Sequence, residues 1–238
     1  MPERTHEVTR LEGFSDAVFG FALTLLVVSL ETPQSITALR DLARGFFPFA
    51  LTFAMVVWIW YEHNVFFRRY GLQDPWTVFL NSVLLFVVLF YVYPLKFITS
   101  TLFDILVWRS RPNDAFGTAD DSQMLMLLYS SGVVMIFGTF ALLYRHAWGR
   151  RAQLGLTPAD LIALKYGSRA HLISMCLGFV SLAIAIANPS LAGLAGLIYC
   201  LMGPLHGWNG YAGGRAAELM KRREAEAVAK AEAEAKAG

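Results

Sequence analysis

Long apolar segments separated by short polar ones dominate this chain of 238 residues. Six of these segments are long enough to cross about 30 Å of hydrocarbon at about 1.5 Å per helical residue. Charged residues make up only 16% of the chain, against about a quarter in a soluble domain. Because a bilayer offers no water to backbone polar groups, segments of this length have to cross it as helices. The sequence therefore predicts an all-α membrane protein with six transmembrane helices and no separate soluble domain.

The predicted transmembrane domain covers residues 1–213, and a charged tail follows over residues 214–238. The spans are expected at approximately 13–31, 46–67, 76–98, 123–145, 169–188 and 190–210. Asn188-Pro189-Ser190 separates the last two spans, because proline breaks a helix. The tail is rich in Ala, Glu and Lys, which favour a helix. It could be a solvated cytoplasmic helix or an assembly helix whose alanines bury little area.

Most lysines and arginines lie on one side of the predicted membrane, together with both termini. The connection between the fourth and fifth spans carries Arg145, Arg150, Arg151, Lys165 and Arg169. Because loops rich in Lys and Arg stay in the cytoplasm, both termini are predicted to be cytoplasmic. No small-residue cleavage site follows the first span, so we expect this span to be retained.

Polar side chains cluster at a similar depth near one end of the first three spans. They are Arg10, Ser15 and Asp16 in the first span, Trp60, Glu62, His63 and Asn64 in the second, and Asn81 in the third. Because polar groups in hydrocarbon need partners, we expect one hydrogen-bonded network, with Arg10 balancing Asp16. Such a network could carry a function, or it could only hold the helices together.

The first span is predicted to have two different faces. At about 100° per residue, one face carries Phe14, Ala17, Phe21, Thr24, Leu25 and Val28. Asp16 lies about 140° from Phe21, close to the opposite side of the helix. One face is therefore apolar with a single hydroxyl, and the other carries the acid. From the residues alone, the apolar face could contact lipid or another helix.

The sequence lacks the motifs of common enzyme and cofactor sites. It contains no G-x-S-x-G, H-E-x-x-H, P-loop or Rossmann motif, and no recognisable nucleophile–base pair. His171 and His206 have no second ligand at metal spacing. We therefore expect no enzyme activity, no cofactor, no resident metal and no nucleic-acid partner.

The first three spans resemble the transmembrane protein 175 family, the lysosomal potassium channels and their prokaryotic relatives. The family's first span is marked by R-x-x-x-F-S-D and a T-L-L element, matched here by Arg10, Phe14-Ser15-Asp16 and Thr24-Leu25-Leu26. Its second and third spans carry elements matched by Trp60 and His63, and by Asn81 and Pro94. The remaining spans resemble the family mainly in hydropathy and order.

This resemblance implies a homotetrameric potassium channel in the cell membrane of a prokaryote, with a pore lined by the first span of each subunit. Phe21 would form the constriction, Leu25 and Val28 would add further layers, and Thr24 would take part in selectivity. The Phe-Ser-Asp residues would hold the first span in place instead of lining the pore. No T-V-G-Y-G loop is present, in agreement with a hydrophobic constriction that replaces a carbonyl filter. The expected partners are membrane lipid and K⁺, with other monovalent cations as further permeant ions.

Glu31 follows the first span and is expected at the outer mouth, where acids concentrate cations. The chain departs from the family pattern at Phe21, where Ile or Leu is usual, at Asn64, where a second His is common, and at Lys96, where an apolar or small residue is usual. The alternative function is a proton-coupled secondary transporter that uses Asp16 and His63. The sequence shows neither an inverted repeat nor helices broken at the midplane, which such transporters often have.

Overall fold

The computed structural model describes residues 8–107 and 117–237, and within these ranges the chain is helical, with no strand. The helices are α1 (Arg10–Val28), α2 (Ile36–Arg44), α3 (Phe46–Tyr70), α4 (Pro75–Leu106), α5 (Ala119–Gly149), α6 (Pro158–Ala187), α7 (Ala192–Leu197) and α8 (Met202–Ala237). Two 3-10 turns, Pro189–Leu191 and Ile198–Leu201, flank α7. The prediction of an all-α fold is confirmed for this part of the chain.

The described residues contain five helices that could cross a membrane, or six spans if one bent pair of helices is counted as a single span, which is the number that the sequence predicts. α1, α4, α5, α6 and the segment Pro189–Arg223 are each long and apolar enough to cross a membrane. α2 and α3 together form the further span, with a bend of 43° between them. α2 buries none of its side chains in the subunit, so it extends this span without adding to the core.

Polar caps set the helix ends, and several helices therefore extend beyond the predicted spans. α6 begins at Pro158, well before residue 169, because Thr157 and Asp160 form a capping box at its start. α4 continues to Leu106, past residue 98, where the third span was expected to end. Hydropathy detects only the residues that cross hydrocarbon, so the polar and amphipathic helix ends were missed.

The last predicted span, 190–210, is not one regular helix. Asn188 ends α6, and Pro189 starts a 3-10 turn that leads through α7 and a second 3-10 turn into α8. α8 then runs without a break from Met202 to Ala237, so the tail continues the last membrane helix. Alanine, glutamate and lysine are strong helix formers, which explains why no break separates the two.

The helices pack side by side around α4 and α5. α5 and α6 form the most extensive contact, α4 packs on α5, α8 packs on α6, and α1 packs on α3 and α4. Gly132 of α5 lies so close to the ring of Tyr91 that a Cβ atom there would overlap it. The Tyr91 hydroxyl donates to the Tyr129 carbonyl at 2.6 Å. Small residues thus permit close helix approach at this interface.

Candidate functional site

α1 turns one face towards the rest of the subunit. Its buried side chains are Ser15, Phe19, Ala22 and Leu26, which follow one another at intervals of three or four residues. This spacing is that of a single helical face, and α3 and α4 are the helices that it packs against. α1 is therefore fixed along one side only.

The other face of α1 is left uncovered and is mainly apolar. Phe14, Phe21 and Val28 are 60%, 57% and 71% exposed. Thr24 is also exposed, and Leu25 is half-buried. These are the side chains that the helical repeat assigns to one face. An apolar stripe of this size on a membrane helix has to meet lipid, another subunit or a pore.

Thr24 places a hydroxyl oxygen on the uncovered face. Its Oγ1 donates a hydrogen bond to the carbonyl oxygen of Gly20 at 2.9 Å. Because a hydroxyl has one proton and two lone pairs, this bond uses the donor and leaves the oxygen free to accept. Thr24 can therefore offer a weak oxygen ligand to a cation without giving up its own hydrogen bond.

A fully buried network joins α1, α3 and α4 near the start of α1. Ser15, His63 and Asn81 are each at most 1% exposed. Nδ2 of Asn81 donates to the Ser15 hydroxyl at 2.9 Å, and this hydroxyl donates to the Leu11 carbonyl at 2.8 Å. Nε2 of His63 donates to Oδ1 of Asn81 at 2.7 Å, since an amide oxygen only accepts. Asn81 of α4 thus links α1 to α3 through hydrogen bonds to both helices.

Asp16 lies beside this network and bonds to a different residue. Nε1 of Trp60 donates to Oδ1 of Asp16 at 2.7 Å. The structure does not bring Arg10 to this acid: both side chains are exposed, and no ion pair joins them among the described residues. The two residues are six positions apart on the helix, so their side chains point about 120° apart. Arg10 therefore does not balance Asp16 within one subunit.

Glu62 faces away from this network and belongs to a second polar cluster. Its Oε2 lies 3.7 Å from Nε2 of His171, which is 3% exposed and stacks on Phe140 at 4.7 Å between ring centroids. Ser174 and His206 bond to each other at 2.8 Å and join α6 to α8. The sequence places Glu62 with His63, but neighbouring helical residues point about 100° apart. The sequence feature that could have revealed this cluster is His171, a histidine within an apolar span.

Lys96 of α4 holds the opposite end of α1. Its Nζ donates to the carbonyl oxygen of Ser29 at 2.9 Å and to the Ser29 hydroxyl at 2.8 Å. A cation at a helix C-terminus satisfies free carbonyl groups and interacts favourably with the helix dipole. Glu31 is exposed just beyond this end. Sequence reasoning noted Lys96 only as a departure, although a lysine within an apolar span already indicates a partner.

The site consists of a buried polar network and an uncovered apolar face of α1. In the described ranges, no group of three or more His, Cys, Asp or Glu side chains could hold a metal ion. α1 is anchored by hydrogen bonds near both ends, and its uncovered face carries one weak oxygen ligand among apolar side chains.

Comparisons with known proteins agree with this description. A family model described as endosomal/lysosomal potassium channel TMEM175 matches residues 10–91. A protein of Marivirga tractuosa named potassium channel is 37% identical over 212 residues, covering 85% of this chain and 86% of that protein. A potassium channel of Streptomyces collinus is 25% identical over 201 residues, covering 79% of this chain and 91% of that protein.

A solved structure extends the similarity to the fold. The crystal structure of a variant of the potassium channel MtTMEM175, bound to a nanobody–MBP fusion protein, matches with a TM-score of 0.78 at 34% identity. The match covers 89% of this chain and 96% of that chain. The fold and these relatives define an integral membrane protein of the ion-channel class, not an enzyme. The chain belongs to the TMEM175 family, and the family predicted from the sequence is confirmed.

Proposed function

We propose that this protein is a channel that conducts K⁺ passively across the cell membrane of a prokaryote. The relatives named as potassium channels support this choice of ion. The observation that carries the proposal is the division of α1 into a buried, anchored face and an uncovered apolar face. Four subunits around one axis would bring four uncovered faces together, and the faces would then line a pore.

In this proposal, Phe21 forms the constriction. Its ring is 57% exposed and lies between the two anchored ends of α1. A ring of four such side chains would expel water, so that dehydration is the barrier to permeation. Leu25 and Val28 follow on the same side of the helix and would form the next apolar layers. No backbone carbonyl filter is then required.

Thr24 and Glu31 supply the oxygen atoms along this path. The Thr24 hydroxyl already donates to Gly20, so its oxygen is free to contact a cation just past the constriction. Glu31 would stand at the outer mouth, where four carboxylates raise the local concentration of K⁺. Weak oxygen ligands favour release as well as entry, which conduction needs. Other monovalent cations would pass less readily.

The polar residues at the start of α1 serve as a scaffold in this proposal. Ser15, Asn81 and His63 are buried and satisfy one another. Asp16 is held by Trp60. Phe14 and Arg10 are exposed near the same end, where a neighbouring subunit or the pore entrance would meet them. The network fixes α1 against α3 and α4, and its residues do not contact ions.

The alternative of a proton-coupled transporter has no supporting geometry. Such a transporter would exchange a proton between Asp16 and His63. Asp16 bonds to Trp60, whereas His63 bonds to Asn81, and no hydrogen bond joins the two within the described residues. A buried histidine that is satisfied by an amide is more consistent with a structural role.

The proposal extends to assembly and orientation. The channel would be a homotetramer surrounded by lipid, with both termini in the cytoplasm, as the distribution of lysines and arginines indicates. Residues 1–213 would form the conducting domain. Residues 214–238 would form a charged tail on the cytoplasmic side, and as far as Ala237 this tail continues α8.

A liposome flux assay tests the function. Purified protein is reconstituted into vesicles loaded with K⁺ or Na⁺, and flux is followed with and without an ionophore that clamps the voltage. We expect K⁺ flux that exceeds Na⁺ flux and needs no proton gradient. K⁺ flux equal to that of empty vesicles, with the ionophore control intact, would contradict the channel. Flux that stops when the proton gradient is collapsed would support the transporter instead.

A further inference from the structure

An open cavity lies between the start of α4 and the end of α5, and none of its lining residues belongs to α1. It has a volume of about 370 Å³, and its lining consists of Trp76, Leu142, Arg145, His146, Gly149 and Arg150. Pockets that hold small molecules begin at about this size. The lining combines basic side chains with two apolar ones at a helix end, which is the level of a membrane interface.

The acid nearest to this cavity is fully engaged. Oδ1 of Asp74 accepts the backbone N–H groups of Trp76 and Thr77, and Oδ2 accepts the Thr77 hydroxyl at 2.8 Å and Nε2 of His146 at 2.9 Å. The guanidinium of Arg150 stays 4.0 Å from Oδ1, at the outer limit of an ion pair. Asp74 therefore leaves most of the positive charge of the cavity uncompensated.

Arg145 has no partner among the described side chains and is exposed. It follows Leu142, which is 47% exposed, by three residues, so both lie on the same stripe of α5. An arginine on an apolar stripe of a membrane helix needs an anion or water at the interface. Trp76, which is 48% exposed, stands across the cavity in the position of an interfacial anchor.

We propose that this cavity binds the phosphate of an anionic phospholipid headgroup. Arg145 and Arg150 would hold the phosphate through charge-assisted hydrogen bonds, which guanidinium groups form with two oxygens at once. Leu142 and the ring of Trp76 would contact the glycerol and the first acyl carbons. Basic pockets between transmembrane helices are known to suit such headgroups. The inference does not depend on the ion that the protein conducts.

Native mass spectrometry of the purified full-length protein tests this site with added phosphatidylglycerol, phosphatidylcholine or inorganic phosphate. We expect the wild-type protein to retain phosphatidylglycerol more tightly than phosphatidylcholine. Arg145→Gln and Arg150→Gln should each weaken this binding about fivefold, as expected for one basic contact with an anionic lipid. Arg151→Gln is the matched control, because Arg151 stacks on Trp148 and does not line the cavity.

A second variant keeps the charge and fills the space. Leu142→Trp should weaken phosphatidylglycerol binding while both arginines remain, which nonspecific attraction to basic residues would not do. The proposal is overturned if Arg145→Gln and Arg150→Gln bind phosphatidylglycerol as tightly as Arg151→Gln. It is also overturned if inorganic phosphate displaces the lipid at equal concentration, because the ligand would then be a free anion.

Discussion

Nζ of Lys96 lies 2.9 Å from the carbonyl oxygen of Ser29, so an ammonium group from α4 caps the end of α1. This contact ties the helix proposed to line the pore to its neighbour at the end opposite to the buried network. Ser29 stands two residues before Glu31 in the chain. The contact therefore brings the positive charge of Lys96 to the part of α1 that Glu31 follows. This end of α1 therefore carries charges of both signs, and in the proposed pore their effects on cation entry should oppose each other.

We expect Lys96→Gln to raise the K⁺ current at low salt, because in the proposed tetramer four positive charges near the outer mouth are removed. Glu31→Gln should lower the current under the same conditions. Both effects should fade near 1 M salt, where the Debye length is about 3 Å. Single-channel recording over a salt series measures them. Lys96→Arg keeps the charge and is the control; a ratio of variant to wild-type current that stays the same across the salt series in either Gln variant would contradict the electrostatic role.

Phe21→Ala should increase ion flux, because a smaller ring of side chains wets more readily. We expect flux to rise by roughly tenfold, equivalent to about 1.4 kcal/mol off the barrier, and selectivity for K⁺ over Na⁺ to fall. Phe179→Ala is the matched control, since Phe179 of α6 is also exposed, at 49%. Equal flux from both variants in the liposome assay would show that Phe21 does not form the constriction.

Asn81→Leu should destabilise the protein, because it leaves the buried Ser15 and His63 without their shared partner. Each unsatisfied buried group costs about 1–3 kcal/mol, so the melting temperature in detergent and the assembled fraction should both fall. Ser82→Ala is the control, because Ser82 is exposed and, within the described ranges, its hydroxyl bonds only to the carbonyl of Val78 on its own helix. A loss equal to that of Ser82→Ala would mean that the network contributes little.

Asp16→Asn separates a scaffold role from a role in ion selection. The variant keeps an oxygen that can accept from Trp60 but loses the charge that strengthens this bond. We expect weaker assembly or altered gating with an unchanged K⁺ to Na⁺ permeability ratio. Reversal potentials under mixed-ion conditions measure this ratio. A changed ratio in a normally assembled protein would place Asp16 on the ion path.

Asp74 makes stability depend on pH in the acidic range. Partial burial acts to raise the pKa of Asp74, but hydrogen bonds from His146 and Thr77 outweigh it and lower the pKa from 3.8 to about 2. The stabilisation is therefore complete above about pH 4 and is lost as the pH falls towards 2. Converted at about 1.36 kcal/mol per pKa unit and reduced for screening by solvent, it amounts to about 1–2 kcal/mol. The difference in melting temperature between wild type and Asp74→Asn should become smaller as the pH falls from about 4 to about 2. A difference that stays constant would show that ionisation of Asp74 does not contribute to stability.

The sequence was sufficient to predict that Ser15, His63 and Asn81 meet, but not which partners the other polar residues of the spans find. Ser15, His63 and Asn81 lie within a turn or two of the same membrane surface, so their meeting follows from the order of the helices. The pairing of Lys96 with Ser29 depends on how far α4 is displaced along α1, and a sequence pattern contains no such information. Which helix the side chain of Glu62 faces likewise depends on the rotation of α3 about its own axis. Glu62 and His63 are both polar and adjacent, so the sequence does not show which of the two faces α1.

The two anchored ends of α1 make its motion cooperative. Asp16 and Ser29 are separated by about 20 Å of helix, and Phe21 lies between them. A rotation of α1 that moves Phe21 strains the bond to Trp60 and the bond to Lys96 at the same time. Because these bonds are either made or broken, we expect α1 to switch between two arrangements without a stable series between them. Opening should therefore proceed in discrete current levels, and not as a graded widening of the path.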